Sequence, residues 1–345
     1  MRLALCLEQT LGHRAHANNL TTAVAEMEAD VDIVSIEYDE RPPIPWAFRG
    51  SWRAAQLLRH EAGAHDVRFY HTQSVSLFAP WVSRGRPFVV SVDATPLQVD
   101  AMGKWYAHKQ SSGLLERLKL HWYRAVFRRA AAVIAWSDWA ADSLVTDYRV
   151  PRDRISVVHP GAPANFFSIT RTSSPDRKPT MLFVGGDLRR KGGDLLLEVF
   201  AKVNEGVNLI MVTPERIDPV PGVEVVSDAT PGSARLRDAF ERADFFCFPT
   251  RGDCTPLVLG EAMAAGLPVI TTRIGSNAET VRDRIDGVLI DRDDAAALRG
   301  AIELLAGDAA LRSSMGVAAR TAAEVRFHSQ RNAARIIEIL RSVAK

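Results

Sequence analysis

Short apolar segments alternate with longer amphipathic stretches along most of the chain. The apolar segments predict six β-strands in the first half, at 3–7, 31–36, 69–71, 88–92, 132–135 and 155–158. They predict six more in the second half, at 181–184, 209–212, 223–226, 245–248, 268–271 and 288–290. Strands that alternate with helices in this way are typical of parallel sheets that carry helices on both faces.

Helical patterns lie between these segments, notably at 19–27, 52–60, 114–129, 138–147 and 329–343. Residues 170–178, TRTSSPDRK, are polar and show no apolar periodicity, so they are predicted to link two domains. The chain of 345 residues is also long for one hydrophobic core. We therefore expect a first domain over 1–173, a second over 174–326 and a last helix within 327–345.

Composition and charge narrow the class of protein. An apolar fraction of 47% with 24% charged residues is ordinary for a globular protein. The net charge is only +2 and neither half is a polycation, so no nucleic-acid partner is predicted. The first apolar run is too short for a signal peptide, and no run approaches a membrane span. Three cysteines without paired or zinc spacing indicate free thiols, and together these features predict a cytoplasmic protein.

Several catalytic signatures are missing from the sequence. It contains no G-x-G-x-x-G after the first strand and no G-x-x-x-x-G-K-[ST], which disfavours dinucleotide oxidoreductases and P-loop nucleotidases. It contains no H-E-x-x-H and no G-x-S-x-G, so metalloproteases and α/β-hydrolases lack support. The nine histidines show no ligand spacing, and no metal site is predicted.

The segment 248–289 carries the most specific pattern. Asp253 and Glu261 are eight positions apart, across a Pro-containing turn that opens a helix predicted over 257–265. A strand precedes the turn, and Gly266 with a second short strand follows the helix. A βαβ unit of this kind offers a helix N-terminus to an anion beyond the carboxyl ends of its strands. The two acids are predicted to flank that anion and to accept hydroxyl groups of a sugar or a ribose.

A second pattern, FVGGDLRRKGGDLLL, covers 183–197. It combines a strand end, a turn permitted by Gly185 and Gly186, and the cations Arg190 and Lys191 ahead of a helix. Two cations beside a helix N-terminus predict a diphosphate site that needs no metal, because the cations neutralise the phosphates and the helix supplies backbone donors. The alternative is a solvated basic turn.

These patterns together resemble the C-terminal signature of the retaining glycosyltransferases of family four, which have the GT-B architecture. That signature is Glu-x(7)-Glu followed by Ala-Met-Ala-x-Gly-x-Pro-Val-Ile, then a Gly-rich turn and a further Glu. The chain has Asp253 and Glu261 as the two acids, EAMAAGLPVI over 261–270, Gly275 in the turn and Glu279 after it.

The resemblance implies an α/β fold of two Rossmann-like domains that face each other across a cleft, with the terminal helix crossing back to the first domain. It also implies retaining transfer of a sugar from a nucleotide diphosphate sugar to a hydroxyl of a glycan, a lipid-linked sugar or a small molecule. The donor would be a substrate, and neither a cofactor nor a metal is expected.

The same resemblance assigns roles in the second domain. Lys191 and Arg190 would hold the diphosphate, Glu261 would accept the ribose hydroxyls and Asp253 would contact the donor sugar. The donor-binding set is Gly12, Gly185, Gly186, Arg190, Lys191, Thr255, Pro256, Leu257, Val258 and Glu261, with the backbone of 255–258 facing the phosphates. The catalytic set is Lys191, Arg190, Asp93 and Asp253.

Two departures from the family pattern leave other functions open. Asp253 is one methylene shorter than the usual Glu, and Gly186 stands where the family often has an Arg. One alternative is a nucleotide-sugar hydrolase or epimerase. The other is a catalytically silent GT-B partner that binds nucleotide.

Polar residues at strand ends of the first half predict the acceptor side. Gly12 is expected to form a turn that lets the backbone approach a ligand, with His13 beside it before a helix that starts at Asn19. His71 and Asp93 end the third and fourth strands. Asp93 is predicted to orient an acceptor hydroxyl or the donor sugar; the alternatives are an Asp that caps the next turn and a surface His13.

The stretch 114–129 has two stripes of side chains. The apolar stripe contains Leu115, Leu118, Trp122 and Val126, and the basic stripe contains Arg117, His121, Arg124 and Arg128. Such a helix can lie on the anionic inner face of a membrane, which would favour a lipid-linked acceptor. The alternative, a helix packed on its own sheet with solvated charges, stays open.

Overall fold

The computed structural model describes residues 1–10, 12–27, 29–38, 45–59, 65–106, 113–170 and 177–344. The chain divides into two compact units. Unit 1 consists of Met1–Gly161 and Ser329–Lys345, and unit 2 of Ala162–His328. The predicted boundary at 173/174 and most of the predicted linker lie outside the described residues.

Unit 1 contains a six-stranded parallel sheet in the order β2-β1-β3-β4-β5-β6. Its strands are β1 Leu3–Glu8, β2 Val31–Ile36, β3 Val67–Tyr70, β4 Phe88–Val92, β5 Ala132–Ala135 and β6 Ile155–Val157. Its first helices are α1 His13–Ala25, α2 Trp46–Arg59, α3 Ala79–Val82, α4 Pro96–Ala101, α5 Gly113–Arg129 and α6 Asp138–Thr146. Short 3-10 turns lie at Gln73–Val75, Gly103–Tyr106 and Arg152–Arg154.

Unit 2 contains a second six-stranded parallel sheet, in the order β12-β11-β10-β7-β8-β9. Its strands are β7 Thr180–Val184, β8 Asn208–Val212, β9 Val223–Val226, β10 Phe245–Phe248, β11 Val269–Thr272 and β12 Gly287–Ile290. Its helices are α7 Ala164–Phe167, α8 Leu188–Lys191, α9 Gly193–Phe200, α10 Ala234–Arg242, α11 Leu257–Ala264, α12 Asn277–Thr280, α13 Ala295–Gly307 and α14 Ala309–Arg326.

The last helix, α15 Ser329–Val343, packs in unit 1 although it follows unit 2 in the chain. Its residues Ile336, Ile337 and Leu340 are buried against α1 and one face of the first sheet. On that face β1 contributes Leu3, Leu5 and Leu7, whereas Cys6 points to the opposite face, as the period of two in a strand requires. Both faces of the sheet are therefore covered.

The two sheets confirm the predicted α/β fold with two Rossmann-like units. All twelve predicted strands are present, and no boundary differs by more than two residues. Two helix starts were wrong: α1 begins at His13 rather than Asn19, and α2 at Trp46 rather than Trp52. In α1 the polar sequence HRAHANN hides a buried side, because His16 and Ala17 pack inward.

Candidate active site

In unit 2 the predicted donor residues gather where the strand order reverses. β7 lies between β10 and β8, so the connections that leave β7 and β10 diverge to opposite sides of the sheet. Ligands of doubly wound sheets bind in the crevice outside the carboxyl ends of the strands at such a point. Lys191 follows β7, and Asp253 and Glu261 follow β10.

Backbone geometry fixes the position of Lys191. It ends the short helix α8, and Gly192 follows with a left-handed φ of 77° before α9 begins. A Cβ on Gly192 would lie 2.0 Å from the carbonyl oxygen of Pro249, so the residue must be glycine. A Cβ on Gly185 would lie 3.1 Å from the Cβ of Lys191, which shows how closely the β7 turn packs against it. The prediction that Arg190 and Lys191 precede a helix is confirmed, since α9 begins at Gly193; the two cations themselves lie in the short helix α8.

An ionic network joins the two segments. The Lys191 Nζ lies 2.5 Å from Oδ1 of Asp253, and the same oxygen is 3.4 Å from Nη1 of Arg190. Thr250 donates its hydroxyl to the other oxygen, Oδ2, at 2.6 Å. Arg190 also donates from Nη1 to the carbonyl of Gly252 at 2.9 Å. The shorter acid at 253 therefore holds the two cations, and both of its carboxylate oxygens are engaged.

Lys191 is a partly desolvated cation. Burial lowers the pKa of its ammonium group, Asp253 opposes that shift, and the neighbouring Arg190 adds to it. The Nζ also lies 5.1 Å from the ring centroid of Phe248, at the end of β10. A cation held in this environment interacts more strongly with a phosphate than a solvated lysine does.

Glu261 differs from Asp253 in having no hydrogen-bond or ion-pair partner among the described residues. It lies in the second turn of α11, and burial raises the pKa of its carboxyl group to about 7. At the start of α11, Pro256 occupies the N-cap position, and no side chain caps the helix. Leu259 donates its backbone N–H to the Pro256 carbonyl at 3.2 Å, whereas the N–H groups of Leu257 and Val258 at the helix start can bond an acceptor outside the helix.

Two residues that the sequence analysis missed hold the loop after β10. Arg251 is buried and donates to Asp194 at 2.5 Å, to the Arg189 carbonyl at 2.5 Å and to Asp293. Thr250 anchors Asp253, as described above. The only signal in the sequence was their place directly after a buried strand.

The structure requires glycine at position 275 but not at position 186. Gly275 has a φ of 51°, and a Cβ there would lie 2.3 Å from the carbonyl oxygen of Asp253, so the predicted Gly-rich turn packs directly under the acid loop. A Cβ on Gly186 would meet nothing within 4 Å, and the same holds for Gly12 in unit 1. Contacts with the described residues therefore do not require glycine at these two positions.

In unit 1 a second polar cluster lies at the carboxyl ends of β1, β3 and β4, where that sheet reverses its order. His13 bridges two acids: its Nδ1 lies 3.3 Å from Oε2 of Glu8, and its Nε2 lies 3.2 Å from Oδ2 of Asp93. Glu8 is fully buried and accepts hydrogen bonds from the hydroxyls of Thr10, Thr72 and Tyr38. His13 is therefore not a surface histidine.

The third predicted residue, His71, joins this cluster through His16. The His16 Nδ1 lies 2.7 Å from Nε2 of His71, and both rings pack against Trp136. The sequence analysis missed Glu8, His16 and Trp136. Glu8 ends an apolar strand, and His16 lies one helical turn after His13, but that spacing was hidden by the wrong helix start.

The pKa values of the three histidines in this cluster shift in opposite directions: that of His13 is raised, and those of His16 and His71 are lowered. Burial alone would lower the pKa of His13, yet Glu8 and Asp93 outweigh it and hold that pKa well above its usual range. Burial and the charge on His13 lower the pKa of His16 to about 3 and that of His71 well below its usual range. Burial raises the pKa of Glu8, but His13 and the hydroxyl donors bring it below the ordinary value. A single imidazolium thus lies between two carboxylates.

Metal-binding groups and membrane-spanning helices are absent from the described residues. No group of three or more His, Cys, Asp and Glu side chains there has the arrangement of a metal site. Within the same residues, no helix combines the length and apolar character that crossing a membrane requires.

The chain is similar to known glycosyltransferases in sequence. A family model described as Glycosyltransferase Family 4 matches residues 2–166, and one described as Glycosyl transferases group 1 matches residues 178–308. A D-inositol 3-phosphate glycosyltransferase of Xylanimonas cellulosilytica is 27% identical over 62% of the chain. The match spans 57% of that relative's length.

Solved structures agree with this at the level of the fold. Sucrose-phosphate synthase from Thermosynechococcus elongatus superposes with a TM-score of 0.77 at 18% identity, over 99% of both chains. Anabaena HepE, solved in complex with UDP-glucose, superposes with a TM-score of 0.71 at 16% identity, over 99% of this chain and 100% of its own. The chain belongs to the family-four, or group 1, glycosyltransferases, a family of enzymes with the GT-B fold.

Proposed function

We propose that the protein transfers a sugar, with retention at the anomeric carbon, from a nucleotide diphosphate sugar to an acceptor hydroxyl, without a metal. The observation that carries this proposal is the arrangement in unit 2. A partly desolvated lysine, a helix N-terminus without a side-chain cap and a carboxyl group with no partner among the described residues follow the neighbouring strands β7 and β10 at the reversal point of the sheet. A diphosphate, its ribose and its leaving-group charge need these three kinds of contact.

Lys191 and Arg190 are the groups that would bind the diphosphate. When the bond to the sugar breaks, negative charge grows on the β-phosphate, and fixed cations lower the energy of that state more than that of the ground state. The N–H groups of the α11 first turn, with the preceding backbone of Thr255 and Pro256, would bind the phosphates from the other side. Metal ions then have no necessary role in neutralising the leaving group.

Glu261 would accept hydrogen bonds from the ribose hydroxyls. A carboxyl group whose pKa is raised to about 7 by burial alone gains from donors that satisfy its charged form. Hydroxyls of a bound ribose are such donors. This assigns the second acid to nucleotide binding rather than to proton transfer.

Asp253 has two candidate roles. The family resemblance implies contact with the donor sugar, whereas its bonds to Lys191, Arg190 and Thr250 favour positioning of the cations. Asp253→Asn separates them. Loss of positioning would weaken the binding of free nucleoside diphosphate as well as of the donor, whereas loss of a sugar contact would weaken only the donor.

On the acceptor side, the proposal places Asp93 and His13 at the attacking hydroxyl. The charged His13 ring lies between the two acids: its Nδ1 is 3.3 Å from Glu8 in an ion-pair contact, and its Nε2–H donates to Asp93 at 3.2 Å. Asp93 is then positioned to accept a hydrogen bond from the acceptor. His71 lies behind His16 in the cluster and would support the ring packing, not the acceptor itself.

The experiment is an assay of donors with and without acceptors. UDP-, GDP-, ADP- and dTDP-sugars are first screened for a rise in melting temperature, since a ligand that binds only the folded protein stabilises it. UDP-glucose and D-inositol 3-phosphate are sensible first substrates because HepE was solved with the former and the Xylanimonas relative is named for the latter. The anomeric configuration of the product, read by NMR, tests retention.

Three results would contradict the proposal. Rapid release of free sugar or an isomerised donor without any acceptor would favour a hydrolase or epimerase. Nucleotide binding without turnover in any acceptor pool would favour a silent partner. An inverted anomeric centre would contradict the retaining mechanism. The three buried free cysteines lead us to place the reaction in a reducing compartment.

A further inference from the structure

Unit 1 carries a contiguous group of exposed aromatic rings, which we call the aromatic face. It consists of Phe48 and Trp52 on α2, Phe78 and Trp81 around the start of α3, and Trp122 on α5. Phe48, Trp52, Trp81 and Trp122 are 42%, 46%, 56% and 41% exposed. The half-buried Phe78 lies at the centre, with ring centroids of the other four between 5.2 and 6.4 Å away. Large exposed apolar patches of this kind mark interaction sites.

Helix α5 extends the face. Its C-terminal half packs on the sheet through Tyr123, Val126 and Phe127, which are buried. Its N-terminal half leaves Leu114, Leu115 and Leu118 more than half exposed, in line with Trp122 at helical spacing. The C-terminal half of the helix is therefore packed on its own sheet, and the N-terminal half exposes an apolar stripe that no described residue covers.

Helices α2 and α5, which carry three of these rings, also carry arginines. Helix α2 carries Arg49, Arg53 and Arg59 and no acid, and Arg59 lies over the Trp52 ring at 5.8 Å from its centroid. On α5, Arg117 and Arg128 are exposed, and neither forms an ion pair with a described carboxylate. Lys119, in contrast, is paired with Asp100 at 2.7 Å.

We propose that the aromatic face docks on an anionic membrane interface, with the rings and the α5 leucines in the headgroup region and the arginines on acidic lipids. Helices with Trp, Phe and Leu on one side and arginine beside them bind such interfaces. A second copy of the chain would bring two sets of exposed arginines (Arg53, Arg59, Arg117 and Arg128) together, which like-charge repulsion opposes. A lipid surface adapts to the shape of the protein, whereas a protein partner must match it. Rings that project from three separate elements can therefore all enter a lipid surface.

The test is co-sedimentation of the full chain with vesicles, which requires neither donor nor acceptor. Vesicles of phosphatidylcholine alone are compared with vesicles that also contain phosphatidylglycerol. We expect binding to the anionic vesicles only, weakened by added salt. Trp52→Ser with Trp81→Ser should weaken it at least about tenfold. Arg53→Ser with Arg117→Ser should weaken it about fivefold for each charge removed.

The matched control substitutions lie on helices α13, α14 and α15, none of which carries a residue of the aromatic face. Val317→Ser with Val325→Ser removes two equally exposed apolar side chains from α14, and Arg299→Ser with Arg335→Ser removes two exposed cations. Both controls should bind vesicles as the natural protein does, and circular dichroism checks the fold of every variant.

Two outcomes would overturn the proposal. One is failure of the natural protein to bind anionic vesicles, or equal binding by the aromatic variant. The other is a concentration-dependent dimer that the Trp52→Ser and Trp81→Ser changes abolish while vesicle binding is absent, which would assign the face to a second copy.

Discussion

Lys191 is the side chain on which nucleotide binding is expected to depend most. Lys191→Ala removes a cation that would attract the diphosphate. It also leaves the negative charge of Asp253 without its lysine partner, so that Asp253 would repel the diphosphate. Both changes weaken binding. We expect the affinity for a nucleotide sugar to fall by about a hundredfold or more. Isothermal titration calorimetry measures it.

Lys202→Ala provides the control for that substitution. Lys202 is exposed and pairs with Glu198 one helical turn away, an interaction worth little. The Lys202→Ala protein should bind the donor with the same affinity as the natural protein. Near-normal binding by a folded Lys191→Ala protein would refute the assignment of the diphosphate site.

Glu261 predicts a pH dependence with a defined sign. Burial raises its pKa from 4.5 to about 7, so between these values the folded protein retains a proton that the unfolded chain has lost. The free energy of unfolding should therefore fall as the pH rises from about 4.5 to about 7 and change no further above that range. Ribose hydroxyls stabilise the charged form, so donor affinity should fall as the pH is lowered below about 7, by at most tenfold per pH unit.

Glu261→Gln isolates that effect. A nucleotide sugar is the ligand to use, because its diphosphate is esterified at both ends and keeps its charge in this range. The variant should bind more weakly at pH 8 and show a flat profile between pH 6 and 8, measured by calorimetry. A profile that stays parallel to that of the natural protein would mean that another group titrates.

At this scale the sequence placed the acids and the cations after the correct strands but did not predict their mutual contacts. The acids and the cations were identifiable because they stand at fixed spacing beside predicted strand ends. Their mutual pairing was not, since Lys191 and Asp253 are 62 positions apart and meet only because β7 and β10 are neighbours. Glu8 and His16 escaped prediction because an acid in a strand and a histidine in a polar stretch have no distinctive pattern.

Among the elements, the turn between α8 and α9 is the most constrained. Gly192→Ala would place a methyl group 2.0 Å from the Pro249 carbonyl oxygen in a left-handed conformation. We expect a loss of about 2–4 kcal/mol in the free energy of unfolding, with weaker donor binding because Lys191 shifts. Urea denaturation followed by circular dichroism measures the loss.

Gly186→Ala is the matched substitution in the same segment. Its φ is not in the left-handed region, and its Cβ would meet open space, so stability should change by less than about 0.5 kcal/mol. Comparable losses in the two variants would contradict the stated origin of the constraint.

Element boundaries were predictable where apolar spacing continued to the end of the element. The strands and α15 meet that condition, and α15 was predicted at its observed bounds. Helix α1 does not, because its first turns bury His16 and alanine rather than large aliphatic residues. A helix that buries polar side chains against a functional cluster lacks the hydrophobic period on which such predictions depend.

For the whole molecule, α15 links the end of the chain to the core of unit 1. Leu340 is fully buried there, so Leu340→Ala should cost about 2–5 kcal/mol. Hydrogen exchange should accelerate in β1 and β3 and remain unchanged in β7 and β10. The exposed Val325→Ala on α14 should alter neither. Equal acceleration in both units would contradict the separate cores.

The architecture followed from the sequence because two successive series of strands and helices can form only a few topologies. The right-handed crossover rule and full coverage of parallel sheets restrict them further. The reversal points, which place both polar clusters, depend on which strands become neighbours. The pairing of strands depends on packing across the whole unit, and the local periodicity of the sequence carries no information about it.

The central claim is that unit 2 binds a pyrophosphate between cations and a helix N-terminus, with an acid on the ribose. A crystal structure of the protein with a nucleotide sugar tests it most directly. The account predicts phosphate oxygens within hydrogen-bond distance of Lys191 Nζ and the first-turn N–H groups of α11, and ribose hydroxyls on Glu261. A nucleotide bound away from both Lys191 and Glu261 would contradict it.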